Sequence, residues 1–241
     1  MNKVGWYPVN NVFSYKVWES LNDIDELEEK TQVILFTDVV TSSKLWKLHE
    51  KGMFQALSKH EERVESIIVK YGGNIIKTIG DSYMLGFEGK DSLFRSIEFS
   101  YELQKDLIDN PIKIKNKKLQ IRLGIHLGPL YKKYVSIQGK KLMDYFGNTV
   151  NTASRMESIV SEPGEIVFSW SGNLDPNQQN LIKNWIEERK LKTQIIDYQH
   201  RCYKGNRIRS GRLLSDMQVH TCEPLSKLKG IAKVTAYRLK L

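Results

Sequence analysis

The sequence predicts an α+β fold: a ferredoxin-like β-α-β-β-α-β sandwich with additional strands and helices. Three observations carry that prediction. An apolar run at residues 31–38 leads into a long helical period, and residues 74–87 read as two strands joined tightly at Gly80-Asp81. A second helical period covers residues 91–108. Residues 119–127 then alternate Leu119, Ile121, Leu123, Ile125 and Leu127 with Gln120, Arg122, Gly124 and His126, the period of a strand with one wet face. This order is the ferredoxin-like one, and that fold hosts many functions, so function must be argued from particular residues.

Residues 1–30 read as a leader with aromatic anchors Trp6, Tyr7, Phe13 and Trp18 and an acidic stretch from Asp23 to Glu29. Val33-Ile34-Leu35-Phe36-Thr37-Asp38 reads as a buried strand that ends in a carboxylate. Residues 44–71 place Phe54, Leu57, Val64, Ile67, Ile68 and Tyr71 on one helical face, and Gly72-Gly73 end that helix. The helix over 91–108 has Leu93, Phe94, Ile97, Tyr101, Leu103 and Leu107 as its apolar set. More strand is expected from 131 to 145, a helix from near Gly147 to about Ile159, and a short strand at 165–168. Residues 175–187 read as helical and 234–239 as strand. One domain is expected over 31–241, with its motifs in 31–170 and a C-terminal part from 171 to 241.

Composition narrows the partners. With 241 residues, 40% of them hydrophobic, the chain can bury a real core. No run approaches the roughly 18 apolar residues that span a bilayer, and the N-terminus has no apolar signal region, so no membrane partner is expected. Cys202 and Cys222 form neither a disulfide framework nor a zinc spacing, which points to the cytoplasm. The formal charge is +9, and Lys113, Lys115, Lys117 and Lys118 cluster after Asn110-Pro111, on a loop leading into a strand. That cluster reads as a solvated face; no nucleic-acid partner is expected, and a nucleoside triphosphate would also suit the positive field.

Asp38 and Asp81 carry the most information. Each stands just past an apolar strand, where an unpaired carboxylate is costly. Two such groups converging would make a hard-oxygen site for Mg²⁺ or Mn²⁺, ions that commonly share their ligands with substrate phosphates. The small residues Val39-Val40-Thr41-Ser42-Ser43 then lead into a helix, leaving backbone N–H groups for phosphate. The competing reading makes Asp38 a helix cap. Asn151 and Arg155 lie four apart on one helical face, an amide suited to a ribose and a cationic fork suited to a phosphate; the alternative is a surface arginine paired with Glu157 or Glu162. Lys77 and Asp144 are polar residues in apolar surroundings, and their plain reading is a buried ion pair.

Three strings make the resemblance specific. Phe36-Thr37-Asp38-Val39-Val40-Thr41-Ser42-Ser43, Lys77-Thr78-Ile79-Gly80-Asp81-Ser82-Tyr83-Met84 and Phe146-Gly147-Asn148-Thr149-Val150-Asn151-Thr152-Ala153-Ser154-Arg155-Met156 occur in order over residues 31–170. Together they resemble the class III nucleotidyl cyclases, the adenylyl and guanylyl cyclase family. Lys227-Leu228-Lys229-Gly230-Ile231 and Tyr237 resemble its closing strand segment.

The resemblance implies an enzyme that converts a nucleoside triphosphate to a 3′,5′-cyclic nucleotide and pyrophosphate. It implies that Asp38 and Asp81, with the Val39 carbonyl, hold two Mg²⁺ or Mn²⁺ ions, and that Thr41, Ser42 and Ser43 hold phosphates. Asn151 would position the ribose, Arg155 would stabilise charge at the α-phosphorus, and Lys229 would contact the terminal phosphates. The family's two sites are shared across a head-to-tail homodimer: the aspartates of one protomer face Asn151, Arg155 and the base-reading residues of the other. Lys77 and Asp144 fall at the base-reading positions, and lysine with aspartate is the family's adenine pair. A donor beside an acceptor also suits cytosine and uracil, so ATP leads, and a uridylyl or cytidylyl cyclase is the alternative, with bulk at Tyr145 and Phe146 shrinking the pocket. Pro129 stands where some members carry a charge, and Lys132 or Lys133 could replace it. Intact Asp38, Asp81, Asn151 and Arg155 speak against a nucleotide-binding pseudoenzyme. An RNA-recognition module shares the element order, but this chain lacks its sheet-face aromatic strings.

Overall fold

The computed structural model describes residues 28–137, 140–198, 207–210 and 234–241. Most of the expected leader lies outside the described residues, as do Cys202, Cys222 and the segment Lys227–Ile231 with Lys229. The chain opens with β1 (Glu28–Val39), α1 (Ser42–Leu48) and α2 (Glu50–Lys70), then β2 (Gly73–Ile79), β3 (Ser82–Phe87) and α3 (Ser92–Asp109). A small hairpin, β4 (Lys113–Ile114) and β5 (Lys117–Lys118), precedes β6 (Ile121–Ile137) and β7 (Lys140–Phe146). There follow α4 (Asn148–Arg155), a π-helical turn (Met156–Val160), β8 (Glu165–Trp170) and α5 (Pro176–Glu188). The strands β9 (Lys192–Tyr198), β10 (Arg207–Ser210) and β11 (Val234–Lys240) complete the described chain.

One sheet runs in the order β10-β9-β11-β8-β6-β1-β3-β2, with β7 paired to β6. Its stretch β6-β1-β3-β2 is antiparallel throughout, while β6 and β8 run parallel. That stretch with α2 and α3 is the predicted ferredoxin-like unit. Odd-numbered residues of β1 and β6, such as Val33, Leu35, Leu123 and Ile125, pack into the main core with Val64, Ile67, Leu93, Ile97 and Leu103 of α2 and α3. Ile34 and Phe36 face the other way, with Met84, Leu130 and Ala153 of α4.

Several local expectations change. The predicted helix over 44–71 is broken at His49, whose backbone is extended and whose imidazole accepts from the Gly52 N–H at 2.9 Å, capping α2. Phe54 is exposed, and Met53, Ala56 and His60 take the buried face in its place. The lysine cluster forms the β4–β5 hairpin and is not a loop. The helix at 148 leaves α-geometry after Arg155 and closes in the π-turn.

The expected wet face of β6 is the largest correction. Gly124 and His126 are buried, because α4 and the π-turn lie directly on that face. Gly124 is what permits it. A Cβ there would stand 2.1 Å from the Glu157 nitrogen and 2.7 Å from the Ala153 carbonyl oxygen, distances that only a backbone shift could relieve. His126 is held by Ser169 and Ser171 at 2.8 and 2.9 Å. Pro129, unusual inside a long strand, sits where β6 passes from pairing with β8, which ends at Leu127, to pairing with β7, which begins at Tyr131. Its missing N–H falls in that gap, and its carbonyl accepts from Thr149 Oγ1 at 2.6 Å.

Two expectations follow. Gly124→Ala should push α4 off β6 and lower stability by about 2 kcal/mol or more, an overpacking cost, read as a lower urea midpoint at unchanged m-value. His60 is buried against Tyr83 with both ring nitrogens unpartnered; burial first, and then Arg63, bring its pKa down to about 4. The unfolded chain therefore takes up a proton near 6.5 that the folded chain refuses until about 4. Stability from this group is intact above pH 6.5 and falls on acidification through that window. The loss is on the order of 3 kcal/mol. Urea unfolding at pH 7 and pH 4.5 should show a smaller loss in His60→Leu than in the parent chain.

Candidate active site

Asp38 closes β1 on the face that α4 shares. Its two flanking strands decide its partners. The register sets Thr37 opposite Tyr83 on β3, so Ser82 arrives beside Asp38 and donates to its Oδ1 at 2.8 Å. On the other side Asp38 pairs in register with Arg122 of β6, which donates from Nη2 to Oδ2 at 2.5 Å. Asp38 is thus no helix cap: the first residues of α1 receive no side-chain capping bond. Each oxygen has one partner, and a carboxylate has lone pairs to spare on both.

Asp81 lies in the tight turn between β2 and β3, with Gly80 at a φ of 64° to make that turn. Burial raises its carboxyl above the ordinary value; the Ser42 hydroxyl and a local N–H pull it down, and the nearby charge of Asp38 pushes it up again. Its Oδ2 is buried without a hydrogen-bond partner. Two carboxylates close enough to repel, one carrying an orphaned oxygen, suit a divalent cation well. Among the described residues no three His, Cys, Asp or Glu side chains gather into a metal cluster. An ion held by Asp38 and Asp81 would take its remaining oxygens from backbone, substrate or water.

Thr41 occupies the left-handed region at φ 56°, and its carbonyl accepts from the N–H groups of Lys44 and Leu45 as α1 begins. Thr41 and Ser43 are exposed and Ser42 is half-buried, and the Ser42 hydroxyl bonded to Asp81 sets the turn beside that carboxylate.

Lys77 and Asp144 are brought together from β2 and β7, with Nζ and Oδ1 2.7 Å apart. The pair is not buried: the side chains keep 41% and 22% of their exposure, enough to meet a ligand. Asp144 Oδ1 also accepts from the Tyr145 N–H at 2.8 Å. Tyr145 is half-buried, with the ammonium of Lys132 5.2 Å from its ring centroid. Lys132 is buried and tied to Glu88 at 2.5 Å, so it does not replace the charge missing at Pro129; Lys133, half-buried opposite Asp144, remains.

Asn151 on α4 is exposed. Arg155 ends α4 half-buried, and its Nη1 is buried with no hydrogen-bond partner. Of the alternative partners Glu157 and Glu162, Glu157 lies 3.1 Å from Arg122, and no described ion pair joins Arg155 to either. Within the chain no described hydrogen bond or ion pair joins Asn151 or Arg155 to either aspartate. Sequence reasoning missed Arg122 and Glu157. The alternation that put Arg122 on a wet face hid its role, and only the register with Asp38 shows it. Burial pushes the Glu157 carboxyl up to about 7; Arg122 draws it down, and Asp38 and Asp81 raise it.

A groove of about 580 Å³ lies elsewhere, between α2, α3 and α5, and holds none of these residues. Its charges are matched across the helices, Arg63 with Asp106 at 2.8 Å and Lys70 with Glu102 at 2.5 Å, so it is a polar seam.

Residues 26–184 match the family described as the adenylate and guanylate cyclase catalytic domain. The chain belongs to that family. It is 28% identical over 166 residues to receptor-type adenylate cyclase A of Leishmania donovani, covering 56% of this chain and 12% of that protein. It is also 28% identical over 151 residues to an adenylate cyclase of Podospora anserina, covering 56% of this chain and 7% of that protein. The chain thus spans a small part of the length of these relatives. Its fold is similar to the catalytic core of a rhodopsin-guanylyl cyclase with converted specificity in complex with ATPαS. That likeness has a TM-score of 0.63 at 23% identity and covers 89% of this chain and 98% of the other.

Proposed function

We propose that this protein is a nucleotidyl cyclase that closes the 3′-oxygen of a nucleoside triphosphate onto its own α-phosphorus. The observation that carries this reading is the proximity of Asp38, on β1, and Asp81, in the turn between β2 and β3, where Asp81 keeps an orphaned buried oxygen and the half-buried Ser42 hydroxyl bonds it beside exposed Thr41. Mg²⁺ or Mn²⁺ bound there, two ions per site, would acidify the 3′-hydroxyl and neutralise the departing pyrophosphate. The turn through Thr41, Ser42 and Ser43 orients the phosphates, and Lys229 is the proposed contact to the terminal ones. Asn151 fixes the ribose. Arg155 lends its free guanidinium N–H to the charge that builds on the α-phosphoryl oxygens as the 3′-oxygen–phosphorus bond forms and the bridge to the β-phosphate breaks.

Among the described residues no hydrogen bond or ion pair joins Asn151 or Arg155 to Asp38 or Asp81, as a head-to-tail homodimer with shared sites would have it. An exposed apolar strip supports it too. Tyr131, Phe146 and Leu142 are exposed on the hairpin of β6 and β7, where Tyr131 stands opposite Phe146 and Val135 opposite Leu142, and Ile79 is exposed beside Asp81. Such a strip on the arm that carries Asp144 fits a second copy of the chain.

Lys77 donates and Asp144 accepts, with Asp144 Oδ2 left over for an exocyclic amino group, and because lysine with aspartate is the family's adenine pair, adenine is the favoured base. A uridylyl or cytidylyl cyclase is the second reading, favoured by Tyr145, whose ring is fixed by Lys132 next to the base-reading pair. We place the protein in the cytoplasm, acting without nucleic acid or membrane.

Purified protein with Mn²⁺ should convert one of ATP, GTP, CTP and UTP to its cyclic monophosphate, identified by mass. Asp38→Ala and Asp81→Ala should each lower kcat by at least a hundredfold with the fold intact by circular dichroism. Retention of most activity by either variant would overturn the metal assignment. Mixing Asp38→Ala with Arg155→Ala protomers should restore part of the activity through one complete site. No restoration, in a sample shown to hold heterodimers, would overturn the shared site.

A further inference from the structure

Arg122 is the centre of a three-way junction. Its Nη2 donates to Asp38 Oδ2 at 2.5 Å and stands 3.1 Å from Glu157 Oε1, and its Nη1 donates to the Ser158 carbonyl at 3.3 Å. The acceptors belong to two elements that otherwise have separate tasks. Asp38 ends β1 at the metal-holding side of the site. Glu157 and Ser158 lie in the π-turn that directly continues α4, two and three residues beyond Arg155. The approach is possible because Gly124, two residues along β6, removes the Cβ that would hold the π-turn away. The junction is partly shielded: side-chain exposure is 24% at Asp38, 27% at Arg122 and 10% at Glu157. A planar, forked guanidinium can hold two carboxylates and a carbonyl in fixed directions, and a lysine of equal charge cannot.

We propose that Arg122 is a positioning residue for cyclisation that couples the two half-sites of one protomer. It fixes the Asp38 carboxylate, and through Glu157 and Ser158 it fixes the end of α4 that presents Arg155. This rests on the shared-site reading above. In a head-to-tail dimer one protomer gives its aspartates to one site and its Arg155 to the other. A single guanidinium therefore sets a part of both active sites of the dimer. A merely structural ion pair would support the fold without favouring either half-site. A positioning fork leaves distinct marks on the two.

The test uses Arg122→Lys, which keeps the charge and removes the fork. Differently tagged protomers are co-expressed, and heterodimers are isolated by both tags, with the nucleotide found in the four-substrate assay. The reference is the Asp38→Ala:Arg155→Ala heterodimer, which retains one complete site. In the Arg122→Lys:Arg155→Ala heterodimer the surviving site takes its aspartates from the chain with Arg122 intact and its Arg155 from the Arg122→Lys chain. There kcat should fall at least fivefold at saturating Mn²⁺, with the Mn²⁺ requirement unchanged. In the Arg122→Lys:Asp38→Ala heterodimer the surviving site takes its aspartates from the Arg122→Lys chain. There the Mn²⁺ concentration for half-maximal rate should rise at least fivefold. Mn²⁺ binding to the Arg122→Lys homodimer without nucleotide, followed by electron paramagnetic resonance, should weaken at least threefold.

Glu157→Gln weakens the arm to α4 and leaves the Ser158 carbonyl contact and the Arg122–Asp38 bond in place. It should lower kcat at least twofold in the same heterodimer background, paired with Arg155→Ala, without weakening Mn²⁺ binding. It carries the test if Arg122→Lys does not fold, and parent kcat in it would overturn the coupling. Parent behaviour in both Arg122→Lys heterodimers would overturn the proposal. A loss in only one of them would overturn the coupling and leave Arg122 serving a single half-site. An inactive reference heterodimer would overturn the shared site and the coupling with it, and the Mn²⁺ titration would then decide the Asp38 arm alone.

Discussion

Asp38, Asp81 and Glu157 lie near enough to feel one another's charge and form one acidic patch, and the Arg122 guanidinium lies against two of them, Asp38 and Glu157. Burial is the main cause of the upward push on Asp81 and Glu157, and repulsion from the neighbouring carboxylates adds to it. The patch persists because Arg122 lies in register with Asp38 and because Ser82 and Ser42 supply hydroxyls to the two aspartates. Under the proposed function, negative charge that Arg122 compensates only in part would leave affinity for a divalent cation and the polyphosphate it carries.

The backbone contributes as much as the side chains. Without a Cβ at residue 124, α4 and the π-turn descend onto β6, and the face read as solvated becomes a second, smaller core of Ile34, Phe36, Met84, Leu130 and Ala153. The strip of that face not covered by α4 is where Asp38, Ser82 and Arg122 meet. The helix therefore does two things: it closes the core and bounds the site.

The ferredoxin-like core was legible because its elements have strong periods. The strand at 31–38, the turn at Gly80-Asp81 and the helix over 91–108 all agree with the structure to within a few residues. Asp38 and Asp81 were legible as chemistry because charge at the end of an apolar strand is conspicuous in one dimension. Lys77 and Asp144 were legible as a pair, though they prove more open than a buried pair would be. Arg122, Glu157 and the role of Gly124 were not legible. Their meaning lies in strand register and in helix-to-sheet distance, and neither leaves a local mark in the sequence. The covering of β6 by α4 was missed for the same reason: alternation reports that two faces differ and says nothing of what later in the chain will lie on them. Phe54 shows the converse, an apolar residue at helical spacing that the break at His49 leaves outside.

Under the proposed function, in which Lys77 and Asp144 read the base, the hand-over at Pro129 has a consequence for selectivity. Beyond it β6 leaves β8 and continues as an arm, and Asp144 rides on that arm beside the exposed Tyr131, Leu142 and Phe146. If that strip is the seam between two copies, the tilt of the arm is set by the neighbouring subunit, and with it the gap between Asp144 and Lys77. Discrimination among nucleobases then becomes a collective attribute of the assembled pair, and changes at the seam would retune it without touching a residue that meets the base.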